Sequence, residues 1–324
     1  MRALIGGYTA NSSQGIYELT IDKQVEVRPF LEINGPTYFQ VDGDFLLTIK
    51  KGDGIGGLAL YDLKSKQLID EDLVAGASPC YVGLNRQAKI VYTANYHTGL
   101  CQSYHYDQTG LKPLLKIKHT AETLGPKKEQ DSAHPHFFDE TPAGNLVVCD
   151  LGNDSVTFYD QSGKKLARYQ NHPGFGSRHI RFNGQYFYVV GELASEINVV
   201  KFDETSWQFE DLGYYSTLID QEVENGAAAL YLDKTKQFLY CSNRGANTIS
   251  VFKINGEKLE LIQSISTNGT FPRDFNWDRT ETHVLVANQT SDNATLYSRN
   301  PQTGMLTPKV KDISVPEGTR VEFF

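Results

Sequence analysis

Four arginines in this chain stand where they could bind an anionic ligand. Each lies at the start or end of a short strand-like segment, and they are Arg178, Arg244, Arg273 and Arg320. The arginine guanidinium presents a planar fork of donors that fits carboxylate and phosphate oxygens. The alternative interpretation is that each arginine pairs with a local acid, such as Asp274 or Asp150. We favour the ligand interpretation for the group as a whole.

Candidate acid and base groups accompany the arginines. His136 and Glu192 could each deprotonate a water molecule, and histidine titrates near neutral pH without further tuning. His134 and His136 are also spaced like a pair of metal ligands. The intervening proline and the alternation of a strand point the two rings in different directions, so we predict no metal site. His179 alternates with Arg178 along its strand and should face the interior of its sheet.

Motifs for several other chemistries are missing from the sequence. It contains no glycine-rich phosphate loop before a helix and no GxSxG or HExxH pattern. We therefore expect no cofactor, and the chemistry must come from the side chains.

Composition limits the class of protein that positions these residues. Hydrophobic residues make up 40% and charged residues 22% of the 324 residues, which is ordinary for a soluble globular protein. The net charge of −8 argues against nonspecific binding to nucleic acid or to an anionic membrane. The N-terminal residues show no signal-peptide core, which predicts a cytoplasmic protein with four reduced, buried cysteines. These are Cys80, Cys101, Cys149 and Cys241.

One pattern repeats seven times along the chain. A strand, a polar turn of Gly, Asn or Asp, and a second strand end in an aromatic residue at each of these positions: Tyr17, Tyr61, Tyr106, Tyr159, Phe202, Phe252 and Tyr297. The spacing averages about 47 residues, which is typical of a four-stranded propeller blade. The sequence therefore predicts an all-β, seven-bladed β-propeller that occupies residues 1–324 as a single domain.

The two ends of the chain together supply the strands of one complete repeat. The first repeat lacks its inner strand, whereas residues 319–324 form a spare one, so the C-terminal strand should join the N-terminal blade. Residues 119–133 form the longest polar insertion and precede an inner strand. We expect this segment to overhang one face of the ring.

Aligning the repeats places two rings of residues at one mouth of the central channel. The first ring, at the start of the inner strands, contains Thr37, Cys80, His136, Arg178, Ala228, Arg273 and Arg320. The second ring, after the second strands, includes Lys51, Tyr96, Leu151, Glu192, Arg244 and Gln289. Amides or acids precede several of these, namely Asn95, Asp150, Asn243 and Asn288.

Four segments resemble the propeller-type lactonases. This family includes bacterial cytosolic 6-phosphogluconolactonases and fungal carboxy-muconate lactonising enzymes. The segments are HPHFFDETPAG (134–144), GSRHIRFNGQYFYVVGEL (176–193), FLYCSNRGANTISVF (238–252) and FPRDFNWDRTETHVLVANQTSDNATLY (271–297). The resemblance spans the whole chain and includes the N-terminal GGYT…GIY segment.

The resemblance implies hydrolysis of a sugar-acid lactone, with 6-phosphogluconolactone of the pentose phosphate pathway as the favoured substrate. The family's functional positions correspond to His136, Arg178, Glu192 and Arg244, with His134 as a second choice for the histidine. Two positions depart from the family pattern. Its NEL motif reads Gly191-Glu192-Leu193 here, and its Ala-Asp pair reads Ala228-Ala229.

These residues suggest a division of labour in opening the lactone. Glu192 or His136 would activate water, and Arg178 or Arg244 would stabilise the oxyanion. The residues expected to bind the substrate are Arg273 as the phosphate anchor, Arg320, His134, Asn95, Tyr96, Asn243 and Asn288. We expect a monomer that binds a small anionic sugar lactone, and neither nucleic acid nor membrane.

Two alternatives come from other functional classes. A cycloisomerase acting on a muconate-type dicarboxylate would use the same arginines and one acid–base group. A non-catalytic propeller would bind a metabolite or a protein partner and would turn over nothing.

Overall fold

The computed structural model describes residues 1–22 and 24–324 and confirms the all-β class. Short alternating segments form the strands, and turn residues separate them. The described residues form 28 strands and one 3₁₀ helix, Lys128–Gln130. In this described part of the chain no helix has the length and apolar character needed to cross a membrane.

The chain forms two compact units. Unit 1 consists of Met1–Tyr38 and Tyr215–Phe324, and unit 2 consists of Phe39–Tyr214. Each unit is built from four-stranded antiparallel sheets, three in unit 1 and four in unit 2. The single domain expected over residues 1–324 stays a prediction.

Unit 2 holds the four sheets in the middle of the chain. Sheet 2 is formed by β4 (Phe39–Asp42), β5 (Phe45–Gly52), β6 (Ile55–Asp62) and β7 (Leu68–Ala75). Sheet 3 is formed by β8 (Tyr81–Asn85), β9 (Ile90–Asn95), β10 (Leu100–Asp107) and β11 (Gly110–Lys118). Sheet 4 is formed by β12 (Pro135–Glu140), β13 (Leu146–Asp150), β14 (Ser155–Tyr159) and β15 (Lys165–Gln170). Sheet 5 is formed by β16 (Ser177–Asn183), β17 (Tyr186–Gly191), β18 (Glu196–Asp203) and β19 (Gln208–Ser216).

Unit 1 holds the remaining three sheets. Sheet 6 is formed by β20 (Gly226–Leu232), β21 (Phe238–Arg244), β22 (Thr248–Asn255) and β23 (Lys258–Ser266). Sheet 7 is formed by β24 (Pro272–Trp277), β25 (His283–Asn288), β26 (Asn293–Arg299) and β27 (Leu306–Ser314). Sheet 1 is formed by β28 (Gly318–Phe323), β1 (Arg2–Gly7), β2 (Gly15–Ile21) and β3 (Val25–Glu32).

Sheet 1 confirms that the C-terminal strand completes the N-terminal sheet. Strand β28 pairs antiparallel with β1, with Ala3 opposite Phe323 and Ile5 opposite Val321. Ile5 and Val321 are fully buried in a cluster with Leu285 and Leu296 of sheet 7. Apolar burial therefore adds to the backbone hydrogen bonds in holding the last strand to the first.

The seven repeating aromatic residues occupy the third strand of the seven sheets, β2, β6, β10, β14, β18, β22 and β26. Six of them are buried and Tyr17 is partly buried. A large ring at this position fills the space above its sheet, which explains why the sequence repeats it.

The insertion at residues 119–133 contains the 3₁₀ helix and connects β11 with β12. Its N-terminal part is fastened by the amide of Asn153, whose Oδ1 accepts hydrogen bonds from the N–H groups of Glu122 and Thr123 at 2.9 and 3.0 Å. Near its C-terminal end, Gln130 is buried and donates from Nε2 to the Leu151 carbonyl at 2.9 Å. The segment is thus bonded to the end of sheet 4 along its length.

The cysteines follow the prediction with one exception. All four are free thiols, and Cys101, Cys149 and Cys241 are buried. Cys80 is only partly buried, because it lies just before β8, where the strand begins.

Candidate active site

Three of the predicted site residues share one backbone feature. His136, Arg178 and Arg273 are each the extra residue of a β-bulge in the first strand of their sheet. In β12, for example, Pro135 pairs with Asp150 and Phe137 pairs with Cys149, so His136 is skipped. A bulge bends its strand and redirects the side chain of the extra residue, and bulges are enriched beside active sites.

The same feature corrects the position of Arg320. In sheet 1, Gly7 pairs with Gly318 and Gly6 pairs with Arg320, so the extra residue is Thr319. Arg320 therefore matches His179 and Asp274, which follow the bulge, and its assignment to the first ring is wrong by one residue. A shift of one residue in a strand turns the side chain to the opposite face.

The two departures from the family pattern have a packing explanation. A Cβ atom on Gly191 would lie 2.6 Å from the ring of Phe175, which is fully buried, so residue 191 has no room for a side chain. Ala229 is fully buried in an apolar cluster with Phe238 and Phe275. In this chain both positions serve the packing of their sheets.

An arginine–glutamate pair forms the centre of the candidate site in unit 2. Arg178 Nε lies 2.9 Å from Glu192 Oε2, so the two side chains form an ion pair. The Arg178 side chain is 3% exposed and the Glu192 side chain is 19% exposed. The carboxylate is therefore the member of the pair that solvent or a ligand can reach.

Sharp backbone turns set the position of this pair. Gly176 precedes β16 with a φ of 73°, and a Cβ atom there would lie 2.6 Å from the Leu193 side chain. The Glu192 N–H donates to the Gly176 carbonyl at 2.8 Å. Only glycine adopts this φ readily and allows this contact, so the residue before the Ser-Arg-His segment is constrained by the site.

Histidines extend the pair into a polar cluster. Arg178 Nη1 lies 3.2 Å from His179 Nε2, and the ring of His179 lies 5.5 Å from that of His136, edge to face. Both histidines are buried. His179 also contacts the ring of Tyr81 in sheet 3 at 5.5 Å, and its orientation toward the interior of its own sheet stays a prediction. We call His136, Arg178 and Glu192 the Arg–Glu cluster.

Tyr96 and His134 border the Arg–Glu cluster. Their rings are stacked with centroids 4.0 Å apart, and Tyr96 meets His136 edge to face at 6.1 Å. Burial and the neighbouring Glu192 charge raise the pKa of Tyr96 well above its usual value, so its phenol stays protonated. Burial, together with the positive charges of His134 and Lys51, lowers the pKa of His97 beside it.

The strand-end amides, predicted to meet sugar hydroxyls, bond to the backbone in this structure. Their Nδ2 atoms donate to carbonyls of the segment that connects the preceding sheet to their own: Asn95 to Ala77 at 2.6 Å, Asn243 to Thr217 at 3.1 Å, and Asn288 to Thr267 at 3.2 Å. In sheet 4 the equivalent residue is Asp150, which lies 2.9 Å from His119 Nδ1. These contacts belong to one repeated structural position, whereas a role in substrate binding stays a prediction.

In unit 1, two arginines carry different contacts. Arg244 is 9% exposed and donates from Nε to the Gly226 carbonyl and from Nη2 to the Ala227 carbonyl, both at 3.1 Å. Arg273 is partly buried and donates to the Tyr8 hydroxyl at 3.2 Å. Their predicted roles with an oxyanion and a phosphate stay predictions.

Arg320 pairs with local acids, as the alternative interpretation of the four arginines proposed. Its Nη1 donates to Asp274 Oδ2 at 2.9 Å and to the Tyr231 hydroxyl at 2.6 Å, and its Nη2 lies 2.5 Å from Glu322 Oε2. The guanidinium also lies 4.5 Å from the centre of the Tyr38 ring. Arg320 is 2% exposed, so this network fixes it inside unit 1.

The described residues contain no group of three or more His, Cys, Asp or Glu side chains arranged to hold a metal ion.

Sequence reasoning missed Tyr81, Asp131 and Tyr231. Tyr81 and Tyr231 each donate a hydrogen bond of 3.0 Å to an aspartate of the next sheet, Asp139 and Asp274. The signal for Tyr81 was its position directly after Pro79-Cys80, in the same register as His179. Tyr231 and Asp131 had no such signal, because their partners come from other parts of the chain.

Relatives of known sequence cover almost the whole chain. An uncharacterized protein of Lactococcus lactis subsp. cremoris (strain MG1363) is 39% identical and covers 99% of this chain and 98% of its own. A protein of Bacillus subtilis (strain 168) named 6-phosphogluconolactonase is 34% identical, with 98% of each chain covered.

Solved structures show the same similarity. The crystal structure of a Lactobacillus plantarum protein is 39% identical, with a TM-score of 0.94 over 100% of this chain and 99% of the other. The family described as "Lactonase, 7-bladed beta-propeller" matches residues 2–323, which confirms the predicted seven-bladed β-propeller and the expectation of a lactone-hydrolysing enzyme. The seven four-stranded sheets are the blades, and the chain belongs to this lactonase family.

Proposed function

We propose that this protein hydrolyses the 1,5-lactone of a sugar acid, with 6-phospho-D-glucono-1,5-lactone as its substrate. The observation that carries the proposal is the ion pair of Arg178 and Glu192, 2.9 Å apart, with His136 on the neighbouring sheet. A carboxylate, an imidazole and a guanidinium in one cluster supply a base, an acid and an anion-stabilising group. The 34% identity with the 6-phosphogluconolactonase of Bacillus subtilis supports the choice of substrate.

Glu192 is the general base in this proposal. Its side chain is the more exposed member of the ion pair, so a water molecule can reach the carboxylate. As the water oxygen adds to the lactone carbonyl carbon, Glu192 takes one proton from it. A positioned general base contributes typically about 10²- to 10⁴-fold to such a step.

Arg178 stabilises the negative charge that develops on the carbonyl oxygen. Its guanidinium is 3% exposed, so the charge acts in surroundings with little water. When the intermediate collapses, the bond between the carbonyl carbon and the ring oxygen breaks. The ring oxygen receives a proton from His136 and becomes a hydroxyl group. Transfer of the proton held by Glu192 to His136 through solvent restores both side chains, and the product is the open hydroxy acid.

The product of this reaction would be 6-phosphogluconate, an intermediate of the pentose phosphate pathway. A cytoplasmic location and a monomeric state complete the proposal.

The test is the rate of acid release from freshly generated 6-phosphoglucono-1,5-lactone, measured above the spontaneous opening of this ester. Wild type should accelerate opening, and Glu192→Gln should lose about 10²- to 10⁴-fold of the acceleration. The matched control is Glu196→Gln, which alters an acid of the same sheet that pairs with His172 at 2.9 Å. This control should retain the wild-type rate.

Two outcomes would contradict the proposal. Wild-type protein that does not exceed the spontaneous rate would exclude this substrate, and a parallel assay with a muconate-type dicarboxylate would then test the cycloisomerase alternative. Full acceleration by Glu192→Gln would keep the activity and remove Glu192 as the base, and His136→Gln would be the next variant.

A further inference from the structure

The insertion at residues 119–133 ends directly beside the Arg–Glu cluster. Its last residues, Glu129 to Ser132, contact the pair formed by Tyr96 and His134. Tyr96 in turn borders His136 and lies in the electric field of Glu192. A side chain of the insertion can therefore influence the cluster through this aromatic pair.

Hydrogen bonds hold the ring of His134 from two sides. Its Nδ1 lies 2.8 Å from the Tyr96 carbonyl oxygen, and its Nε2 lies 2.8 Å from Asp131 Oδ1. A carbonyl oxygen and an ionised carboxylate accept hydrogen bonds but cannot donate them. Nε2 also lies 3.2 Å from the Ser132 hydroxyl, so the ring is held between the Tyr96 backbone and the insertion. The hydrogen bond with His134 lowers the pKa of Asp131, which keeps that carboxylate ionised.

The ring of His134 lies flat on that of Tyr96. The centroids are 4.0 Å apart and the planes differ by 11°. Stacked rings of this kind attract each other, which keeps the Tyr96 ring in one orientation. On its other end, the Tyr96 hydroxyl donates to the Glu129 carbonyl at 3.3 Å. Tyr96 is thus held at two points, by the insertion at its hydroxyl and by His134 at its ring face.

We infer that His134 and Asp131 form a clamp that positions Tyr96 at the edge of the Arg–Glu cluster, and that His134 acts on the substrate through Tyr96. His134 is then a positioning residue, in contrast to the direct substrate contact expected from the sequence. The inference deepens the proposed function and rests on it, because the effect of the clamp is on how well the lactone binds at that cluster.

The remainder of the insertion is anchored independently of the clamp. Gln130 donates to Asp154 Oδ1 at 2.6 Å, and Asp154 in turn accepts the N–H of Gly176 at 2.6 Å. At the beginning of the segment, His119 bonds to Asp150 at 2.9 Å. Removing the Asp131 carboxylate should therefore loosen the clamp alone and leave the fold of sheet 4 in place.

Asp131 is the informative residue to change, because its side chain is 78% exposed and its loss opens no cavity. Asp131→Ala should raise KM for the lactone roughly threefold to tenfold and change kcat less than about twofold, since only the binding wall is disturbed. Asp131→Asn keeps an oxygen that can accept the His134 hydrogen bond, so it should recover most of the lost KM. Glu122→Gln is the control, because Glu122 lies in the same insertion and pairs with Lys165 and Arg168.

A double-mutant cycle separates the clamp from direct substrate contact. His134→Gln alone should raise KM, and adding Asp131→Ala should raise it no further, because both changes break the same interaction. If His134→Gln raises KM while Asp131→Ala leaves it unchanged, His134 touches the substrate and the inference is overturned.

Amide hydrogen exchange provides a readout that needs no substrate. Peptides covering residues 129–136 should exchange faster in Asp131→Ala than in wild type or Glu122→Gln. Unchanged exchange in Asp131→Ala would overturn the clamp. If wild type fails to open any lactone while exchange still accelerates, the proposed function fails and the clamp stands.

Discussion

Arg178 in unit 2 and Arg320 in unit 1 are equally buried, at 2% exposure each, yet their surroundings differ. Arg320 contacts two acids whose own side chains are buried, at 3% and 10% exposure. Arg178 contacts Glu192, whose side chain is 19% exposed. Burial of an arginine therefore does not identify its role. The exposure of its acid partner is more informative, because a ligand can reach an exposed carboxylate but not one enclosed in a structural network.

The largest expected effect is on stability, at Arg320. Arg320→Ala leaves Asp274 and Glu322 buried without their cation, and should lower the free energy of unfolding by about 3–5 kcal/mol. Chemical denaturation measures this change. The control is Arg28→Ala, because the Arg28 side chain is 69% exposed and its partner Glu18 keeps Arg2. A loss at Arg320 as small as that at Arg28 would remove the distinction drawn between the two arginines.

The opposite behaviour is expected at Arg178. Arg178→Ala should reduce kcat/KM for the lactone by about 10²- to 10³-fold, because one donor to the developing oxyanion is lost. Its cost in unfolding free energy should stay well below that of Arg320→Ala, since Glu192 can turn toward water. Steady-state kinetics and denaturation of the same sample give both numbers. Equal destabilisation by the two variants would show that Arg178 is also structural.

The two units also contain matching tyrosine–aspartate contacts, and the one in unit 2 should make stability depend on pH. Tyr81 bonds Asp139 as Tyr231 bonds Asp274, both at 3.0 Å. Burial raises the pKa of Asp139 from 3.8 to about 6, against the opposing effects of its hydrogen bonds and of Arg181. The folded protein thus binds this proton more tightly than the unfolded chain.

The sign of the pH effect follows from that shift. The contribution of Asp139 to stability is fully present below pH 3.8 and is lost as the pH rises through about 6. Asp139→Asn should therefore gain up to ~3 kcal/mol of unfolding free energy relative to wild type at pH 7, and less at pH 4. Denaturation at the two pH values measures this. A difference between variant and wild type that does not vary with pH would contradict it.

The smallest expected effect is at the strand-end amides. Asn243 is fully buried and its amide donates to the Thr217 carbonyl and to the hydroxyls of Thr248 and Ser250. Asn243→Ala should cost about 1–2 kcal/mol of unfolding free energy, as expected for a buried hydrogen-bonded group. Thermal or chemical denaturation measures the cost. A raised KM at unchanged stability would instead support the substrate contact expected from the sequence.

Much of the fold was readable from the sequence because each sheet repeats the same local code. The third-strand aromatics, the turn residues between strands and the unpaired strand at each end of the chain all act locally. The register at the bulges was harder. In β28 the sequence alignment selected Arg320, whereas the pairing with β1 makes Thr319 the extra residue. A bulge depends on the partner strand, which the local pattern does not contain.

The candidate site divides in the same way. His136, Arg178 and Glu192 were selected by their repeat positions and by resemblance to a family, and unit 2 brings them into one cluster. The contact that connects Asp131 with the edge of that cluster could not be predicted from the sequence. Asp131 is an exposed acid in a polar insertion, and only its 2.8 Å contact with His134 connects it with Tyr96.

The sequence by itself determined the class of fold, the number of strands per repeat, the joining of the C-terminal strand to the first sheet, and the residue types available for lactone chemistry. These follow from periodicity and composition, which are properties of neighbouring residues. The tertiary structure alone decided which arginine is enclosed by acids, which carboxylate reaches solvent, and which histidine stacks on Tyr96. These depend on contacts between residues far apart in the chain, where burial and hydrogen-bond partners set the energy of each charge.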